Sequence, residues 1–283
     1  MAKKADIQHL NVQACEMRKN LLKLSHEAGL LHIGGDLSLA DIMTVLYQYG
    51  LKYDVKNPKW DGRDRFVLSK GHGSGALFIA QAMVGFYDIE TIFKTYMRLD
   101  SNFGMHPCST MLPSVDVSTG SLGHGLSIAV GLALAARLDK KNHRIFTVMG
   151  DGEVQEGSIW EGAMAAGQYK LGNLVGFIDR NSLSFDGPTE EYMKIEPLED
   201  KWRAFGWNAI TVDGHDMEQL VNAIDNLPPS ESEIPTVIIC KTVKGKGVSF
   251  MENSPGWHAG TVNSETLKNC CDIIDKEIEK LRG

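Results

Sequence analysis

The stretch from 144 to 187 constrains the fold more than any other part of the chain. It opens with an apolar run, "RIFTVM", that stops at Gly150-Asp151-Gly152. A segment of helical character follows over roughly 158–169. A second apolar run over 174–179 then ends in "DRNSLSFDG". Strand, helix and strand joined by short connections predict a βαβ unit, whose strands lie parallel. In a right-handed unit both strands point their C-terminal ends the same way. Asp151 and Asn181 then meet in the crevice beyond the carboxyl end of the sheet, where open α/β folds bind ligands.

Asp and Gly also serve ordinary turns for local reasons. The paired arrangement across one strand–helix–strand unit favours a metal–diphosphate site instead. A carboxylate and an amide oxygen are hard ligands, suited to Mg²⁺ or Ca²⁺. Mg²⁺ takes few protein ligands and lets substrate phosphates complete its octahedron. Gly152 would let a diphosphate approach the backbone near the positive end of the following helix.

The remaining chain fits the same class. A first helix is predicted over 7–31, broken by Gly29 and by the Gly34-Gly35 pair. A second is predicted over 37–50, with Ser38 as its N-cap. "RFVLSKGHGSG" reads as a short strand turning at Gly71-His72-Gly73 into a helix. "TGSLGHGLSIAVGLALAARL" is a glycine-rich turn feeding an apolar helix, and "TVIICKTV" is a late strand. Helices alternating with short apolar strands predict an α/β fold, a parallel sheet sandwiched by helices. The tail places Leu267, Cys271, Ile274, Ile278 and Leu281 on one stripe and predicts a closing amphipathic helix. We expect one domain over 1–283. The length suits one large α/β domain, and 43% hydrophobic residues suffice for a sizeable core.

A net charge of −7 argues against a broad nucleic-acid footprint. A phosphate ligand must then be held by local devices: backbone N–H groups, histidines or a metal. The five cysteines are scattered and form no CxxC pair, which suggests a reducing compartment. The start, "MAKKADIQHL", lacks a leader's apolar run, and no stretch approaches a membrane span. A cytoplasmic protein is the expectation.

Nine histidines are present. Four stand beside Gly or Pro in loops: "LLHIGGDLS" (His32), "LSKGHGSG" (His72), "FGMHPCS" (His106) and "SPGWHAG" (His258). A single loop histidine is ordinarily a surface residue. Four in such settings point to phosphate binding, sugar hydroxyl recognition or proton relay. His9, His26, His143 and His215 are read as surface or core residues. "CKTVKGKGVSFME" is a basic glycine loop, for which a solvated lysine cluster is the plain reading.

"GDGEVQEGSIWEGAMAAGQYKLGNLVGFIDRNSLSFDG" (150–187) resembles the thiamin diphosphate motif, and over nearly its whole length the chain resembles a transketolase. The resemblance implies a thiamin-diphosphate-binding fold. It implies Mg²⁺ or Ca²⁺ held by Asp151, Asn181 and the Leu183 carbonyl. His72, His258 and Lys244 would reach the diphosphate, Lys244 being preferred to Lys246. Gly120, Ser121 and Leu122, in "DVSTGSLGHGLS", would contact the cofactor with Gly152. His32, His106 and His258 would line the channel to its reactive carbon. His124, where a Gln is more usual, is read as structural. Acidic residues also suit helix N-termini through the dipole. The resemblance makes Glu156 instead part of a carboxylate network crossing a subunit interface. The family more often has Pro at Ile33 and a small residue at Asp36, and Asp36 is expected to alter the substrate entrance.

In this family the glutamate that activates the aminopyrimidine belongs to a second, pyrimidine-binding domain, for which no sequence follows the closing helix. The resemblance therefore implies the N-terminal subunit of a split transketolase. It would need a C-terminal subunit, in an α2β2 heterotetramer that passes a two-carbon unit between sugar phosphates. An α subunit of a thiamin-dependent 2-oxo acid dehydrogenase is the alternative enzyme. A non-catalytic cofactor-binding subunit is the alternative outside catalysis.

Overall fold

The computed structural model describes residues 5–283. The first four residues, part of the stretch that lacks a leader's apolar run, lie outside it. Ten α-helices and five strands are named here, in chain order. They are α1 (Ile7–Ala28), α2 (Ile33–Val45), β1 (Arg65–Leu68), α3 (Ser74–Met83), α4 (Ile89–Thr95) and α5 (Gly125–Leu138). Then come β2 (Ile145–Gly150), α6 (Gly157–Gln168), β3 (Leu174–Arg180), α7 (Thr189–Tyr192), α8 (Leu198–Ala204), β4 (Asn208–Asp213), α9 (Met217–Asp225), β5 (Thr236–Lys241) and α10 (Ser264–Arg282).

All five strands are parallel, in the order β1-β2-β3-β5-β4. Every residue of β2 and β3 is buried, as a sheet covered on both faces requires. Alternate residues serve the two cores. Phe146, Val148, Val175 and Phe177 join the core built with α1, α2, α3 and α9. Ile145, Met149, Leu174 and Ile178 join the core built with α5, α6 and α8. The α/β expectation is met. β4, α8 and α9 are not among the expected elements, although Met217, Leu220 and Val221 of α9 are buried at helical spacing. Only Ala209 and Val212 of β4 are buried, because it is an edge strand, and its six residues carry no strong apolar signal.

Two helix boundaries differ from expectation. Helix α1 is capped by the Asp6 carboxylate, which accepts the His9 N–H at 2.9 Å. It ends at Gly29, in the left-handed region at φ 76°. Leu31 therefore lies outside it and bridges to Gly260.

The larger difference is at α2. Gly34 and Gly35 do not break the chain but form its first turn, and Ser38 is not an N-cap. The Ser38 hydroxyl is buried, donating to Asp179 Oδ2 at 2.6 Å and lying 3.0 Å from the Gly35 carbonyl. Gly34 is needed for close approach: a Cβ there would stand 2.4 Å from the Trp257 carbonyl oxygen. The closing helix packs on α1, burying Cys270, Ile274 and Ile278. Cys270 takes the buried place expected of Cys271, which is half-exposed, and all five thiols are free.

Asp36 does not line an entrance. It is fully buried near the start of α2, as is Ile33. Its Oδ1 accepts the Ala76 N–H at 3.1 Å, and its Oδ2 has no hydrogen-bond partner. Burial pushes its pKa up from 3.8 to about 7, against the pull of the Ala76 N–H and Lys70. In that window the folded chain holds a proton that the unfolded chain has released. Stability from the protonated group is therefore complete below about pH 4 and is lost as pH rises through about 7. Asp36→Asn, which cannot ionise, is expected to match the parent near pH 4. At pH 8 it should be more stable by about 2–4 kcal/mol. Urea unfolding at the two pH values checks this, and a difference that does not change with pH would refute it.

Candidate cofactor and active site

The parallel register sets Gly150 beside Asp179, so the chain leaves β2 and β3 at the same edge. Asp151 and Asn181 follow directly, and both line a cavity of about 320 Å³ at the carboxyl end of the sheet. The loop after β5 brings Lys244 and His258 to it, and the turns after α1 and β1 bring His32 and His72.

The three imidazoles form one cluster. Ring centroids lie 5.3 Å apart for His32 and His72, 5.6 Å for His32 and His258, and 5.7 Å for His72 and His258. Burial and nearby cations keep them neutral. The pKa of His258 is lowered to about 3 by burial, then by Lys244, His32 and Lys70. Burial, then Lys70 and the neighbouring imidazoles, hold His72 well below its usual value. Burial, then His106, Lys70 and Lys244, lower His32. Lys244 Nζ lies 2.8 Å from His258 Nδ1, so the ammonium donates and Nδ1 accepts. His32 Nδ1 is buried and has no partner. Native proteins rarely leave such an atom unpaired, and a ligand in this cavity is one way to satisfy it.

Asp151, Asn181 and Leu183 all line this cavity. Asp151 Oδ1 accepts the Gly152 N–H at 2.8 Å. Its Oδ2 accepts the Ser182 N–H and, at 3.0 Å, Arg180 Nη1. Burial, with Asp179 adding to it, raises the Asp151 carboxyl to about 6, against Arg180. Asn181 Oδ1 accepts the Leu183 N–H at 3.1 Å. The Leu183 and Ser184 carbonyls accept from Lys244 Nζ at 3.3 and 3.1 Å, so a cation already sits against Leu183. Among the described residues no three His, Cys, Asp or Glu side chains are placed to hold a metal. A divalent ion here would rely on the single Asp151 carboxylate together with amide, carbonyl and ligand oxygens, and Mg²⁺ is commonly bound by one or two carboxylates plus substrate phosphates. The donor set and the unpaired imidazole atom fit a metal–diphosphate group.

Of the other expected residues, Gly120, Leu122 and Gly152 line the cavity. His106 stands at its margin: a Cβ on Gly120 would be 3.0 Å from its ring. Ser121 and Glu156 are exposed outside the lining. His124 precedes α5 without a side-chain cap bond, and Lys246 lines a different cavity.

Sequence reasoning missed the polar floor. Lys70 and Asp179 are buried and paired at 2.7 Å. Asp179 also accepts from Ser38, Thr242 and Asn181. The buried glutamate after β2 is Glu153, not Glu156, and it accepts from Ser69, Gly123 and Gly150. The available signal was a charged residue at the end of each apolar strand: "FVLSK" for Lys70 and "VGFID" for Asp179.

Residues 18–274 match the family described as "Transketolase, thiamine diphosphate binding domain". The chain belongs to the transketolase family. It is 41% identical over 275 residues to an apulose-4-phosphate transketolase subunit from Phocaeicola vulgatus, covering 97% of each chain. It is also 41% identical over 272 residues to the 6-deoxy-6-sulfo-D-fructose transketolase subunit of a Clostridium species, covering 96% of this chain and 97% of that one. The transketolase of Campylobacter jejuni superposes with a TM-score of 0.86 at 30% identity, over 98% of this chain. This chain spans about half of that solved transketolase, 48% of its length. The parallel sheet is thus the thiamin-diphosphate-binding fold of the transketolases. No helix among the described residues is long and apolar enough to cross a membrane.

Proposed function

We propose that this chain is the N-terminal, diphosphate-binding subunit of a two-subunit transketolase in the cytoplasm. It acts as a single cofactor-binding domain and transfers a glycolaldehyde unit from a ketose phosphate to an aldose phosphate. The observation that carries this reading is one cavity lined both by Asp151, Asn181 and Leu183 and by the neutral cluster of His32, His72 and His258. The Phocaeicola and Clostridium relatives, each covered to 97%, are named as subunits, which supports a partner chain. That partner would supply the pyrimidine-binding domain and its activating glutamate, in an α2β2 assembly.

Thiamin diphosphate, when bound, supplies the electron sink for cleaving the ketose carbon–carbon bond. This chain's residues hold and orient it. The Asp151 carboxylate, the Asn181 amide oxygen and the Leu183 carbonyl would bind Mg²⁺ or Ca²⁺. Lys244, His72 and the backbone at Gly152 would bind diphosphate oxygens, and Gly120, Ser121 and Leu122 would support the rings. His258, whose Nδ1 accepts from Lys244, would present its Nε2–H as a donor to a sugar oxygen, and His32 would exchange a proton at a donor hydroxyl, with His106 at the margin. Glu156, exposed at the start of α6, is free to join a carboxylate network across a subunit interface.

The test is reconstitution. This chain, a candidate C-terminal subunit, thiamin diphosphate and Mg²⁺ are assayed together and separately for two-carbon transfer. Apulose 4-phosphate and 6-deoxy-6-sulfo-D-fructose join the donor panel, because relatives named for them match equally well. Activity is expected only in the mixture. Pyruvate decarboxylation without ketose cleavage would point to the 2-oxo acid alternative. Transfer by the partner alone would reduce this chain to a non-catalytic role.

A further inference from the structure

By sequence, His215 reads as an ordinary surface or core histidine. It occupies the turn after β4, where its N–H donates to Asp213 Oδ1 at 2.9 Å. Its ring joins two parts of the molecule. Nε2 lies 2.8 Å from the Val243 nitrogen and accepts that backbone N–H. Nε2 therefore carries no proton, and the hydrogen sits on Nδ1, which lies 2.6 Å from Asp41 Oδ2. Asp41, buried on α2, is held in turn by Arg18 of α1. One hydrogen-bonded chain thus runs from α1 through α2 and the β4 turn to the segment after β5.

That segment begins with Thr242, Val243 and Lys244 and ends at His258. Lys244 Nζ makes the contacts to His258, Leu183 and Ser184 described above. Val248 and Met251 anchor the middle of the segment in the core, while its other side borders open space. A cavity of about 470 Å³ lies there, lined by Cys15, Arg18, Asp41, His215, Lys246 and Glu252 among others. Its first residues, which carry Lys244, are held by directed bonds: Val243 N–H to His215, Gly245 N–H to the Gly34 carbonyl at 2.9 Å, and Thr242 to Asp179.

We propose that His215 is a positioning residue. Its Nε2 holds the Val243 amide and so fixes the segment that presents Lys244 and His258 to the cofactor cavity, while Asp41 and Arg18 set its tautomer. The link to cofactor binding rests on the thiamin diphosphate reading; the tether itself does not.

Two amides separate the functions of the ring's nitrogens. In His215→Gln the side-chain oxygen can reach the Nε2 position and still accept the Val243 N–H. In His215→Asn the amide reaches only the Nδ1 position, keeps Asp41 and leaves Val243 unpaired. The first readout is hydrogen exchange over 242–258 in this chain, and it needs no cofactor. Exchange should be about tenfold faster in His215→Asn and near the parent rate in His215→Gln, the effect of one lost hydrogen bond. The second is the Kd for thiamin diphosphate with Mg²⁺ in the two-subunit assembly. It should rise roughly tenfold for Asn and less than about threefold for Gln.

Equal behaviour of the two variants, or unchanged exchange in His215→Asn, would overturn the proposal. Should the Asn variant not fold, rapid exchange of the Val243 amide in the parent chain would overturn it too. Failure of the parent assembly to bind thiamin diphosphate, with the exchange pattern as expected, would remove the cofactor reading and leave the tether standing.

Discussion

Asp151→Ala is expected to lower Mg²⁺-dependent thiamin diphosphate binding by at least about 100-fold and to abolish two-carbon transfer in the reconstituted assembly. Asp151 is the one carboxylate among the three oxygen donors proposed for the metal, so its loss removes the charge that offsets a divalent cation. The fold should survive. Arg180 loses one partner but keeps Thr189 Oγ1 at 2.8 Å, Glu190 at 3.2 Å and Glu196 at 3.1 Å. Asp151 is itself a costly group in the free chain, since burial raises it to about 6. The effect should therefore appear in a Mg²⁺ titration of cofactor binding, with Tm moved by only a few degrees. Asp151→Asn, which keeps an acceptor oxygen without the charge, should fall between parent and alanine. Undiminished metal-dependent binding in the alanine variant would remove Asp151 from the metal site.

The second large effect is on stability. Asp179→Ala is expected to cost about 3–5 kcal/mol, because it leaves Lys70 charged and unpaired in a buried site. The pair is 2.7 Å long, with both side chains almost wholly buried. Asp179 is also the common acceptor for Ser38 of α2, Thr242 after β5 and Asn181 after β3. Its removal loosens three elements that carry the site. Urea unfolding of the chain without cofactor gives the cost directly. The double variant Lys70→Met with Asp179→Leu should recover much of it, since two apolar residues leave no unpaired charge. A loss in Asp179→Ala below about 1 kcal/mol would mean that Lys70 finds another partner or solvent.

The two effects separate two layers of one site. Asp151, Asn181, the histidines and Lys244 face the cavity, and their motifs were readable because chemistry there demands particular residue types at particular turns. Lys70, Asp179 and Glu153 lie among and beneath them. A charge at the end of an apolar strand marks Lys70 and Asp179 singly, but their pairing across more than one hundred residues has no local signature. His215 was invisible for the same reason: its role depends on Asp41 and Val243, which only the packed sheet brings to its two ring nitrogens.

What the sequence determined by itself was the strand–turn–helix–strand unit around Asp151 and Asn181, the α/β class and the closing helix. Each rests on hydrophobic period and glycine placement, which act between near neighbours. It also suggested the separate roles of Asp36 and Ser38, and both were misplaced. Gly34 and Gly35 read locally as helix breakers, yet they let α2 begin early because the backbone at Trp257 approaches too closely for a side chain. That early start turned Ser38 onto Asp179 and sealed Asp36 inside. Tertiary structure alone decided the edge strand β4, the buried floor of the cavity and the tether behind its loop. These depend on contacts between distant segments, whose energies appear only after the chain has closed around them.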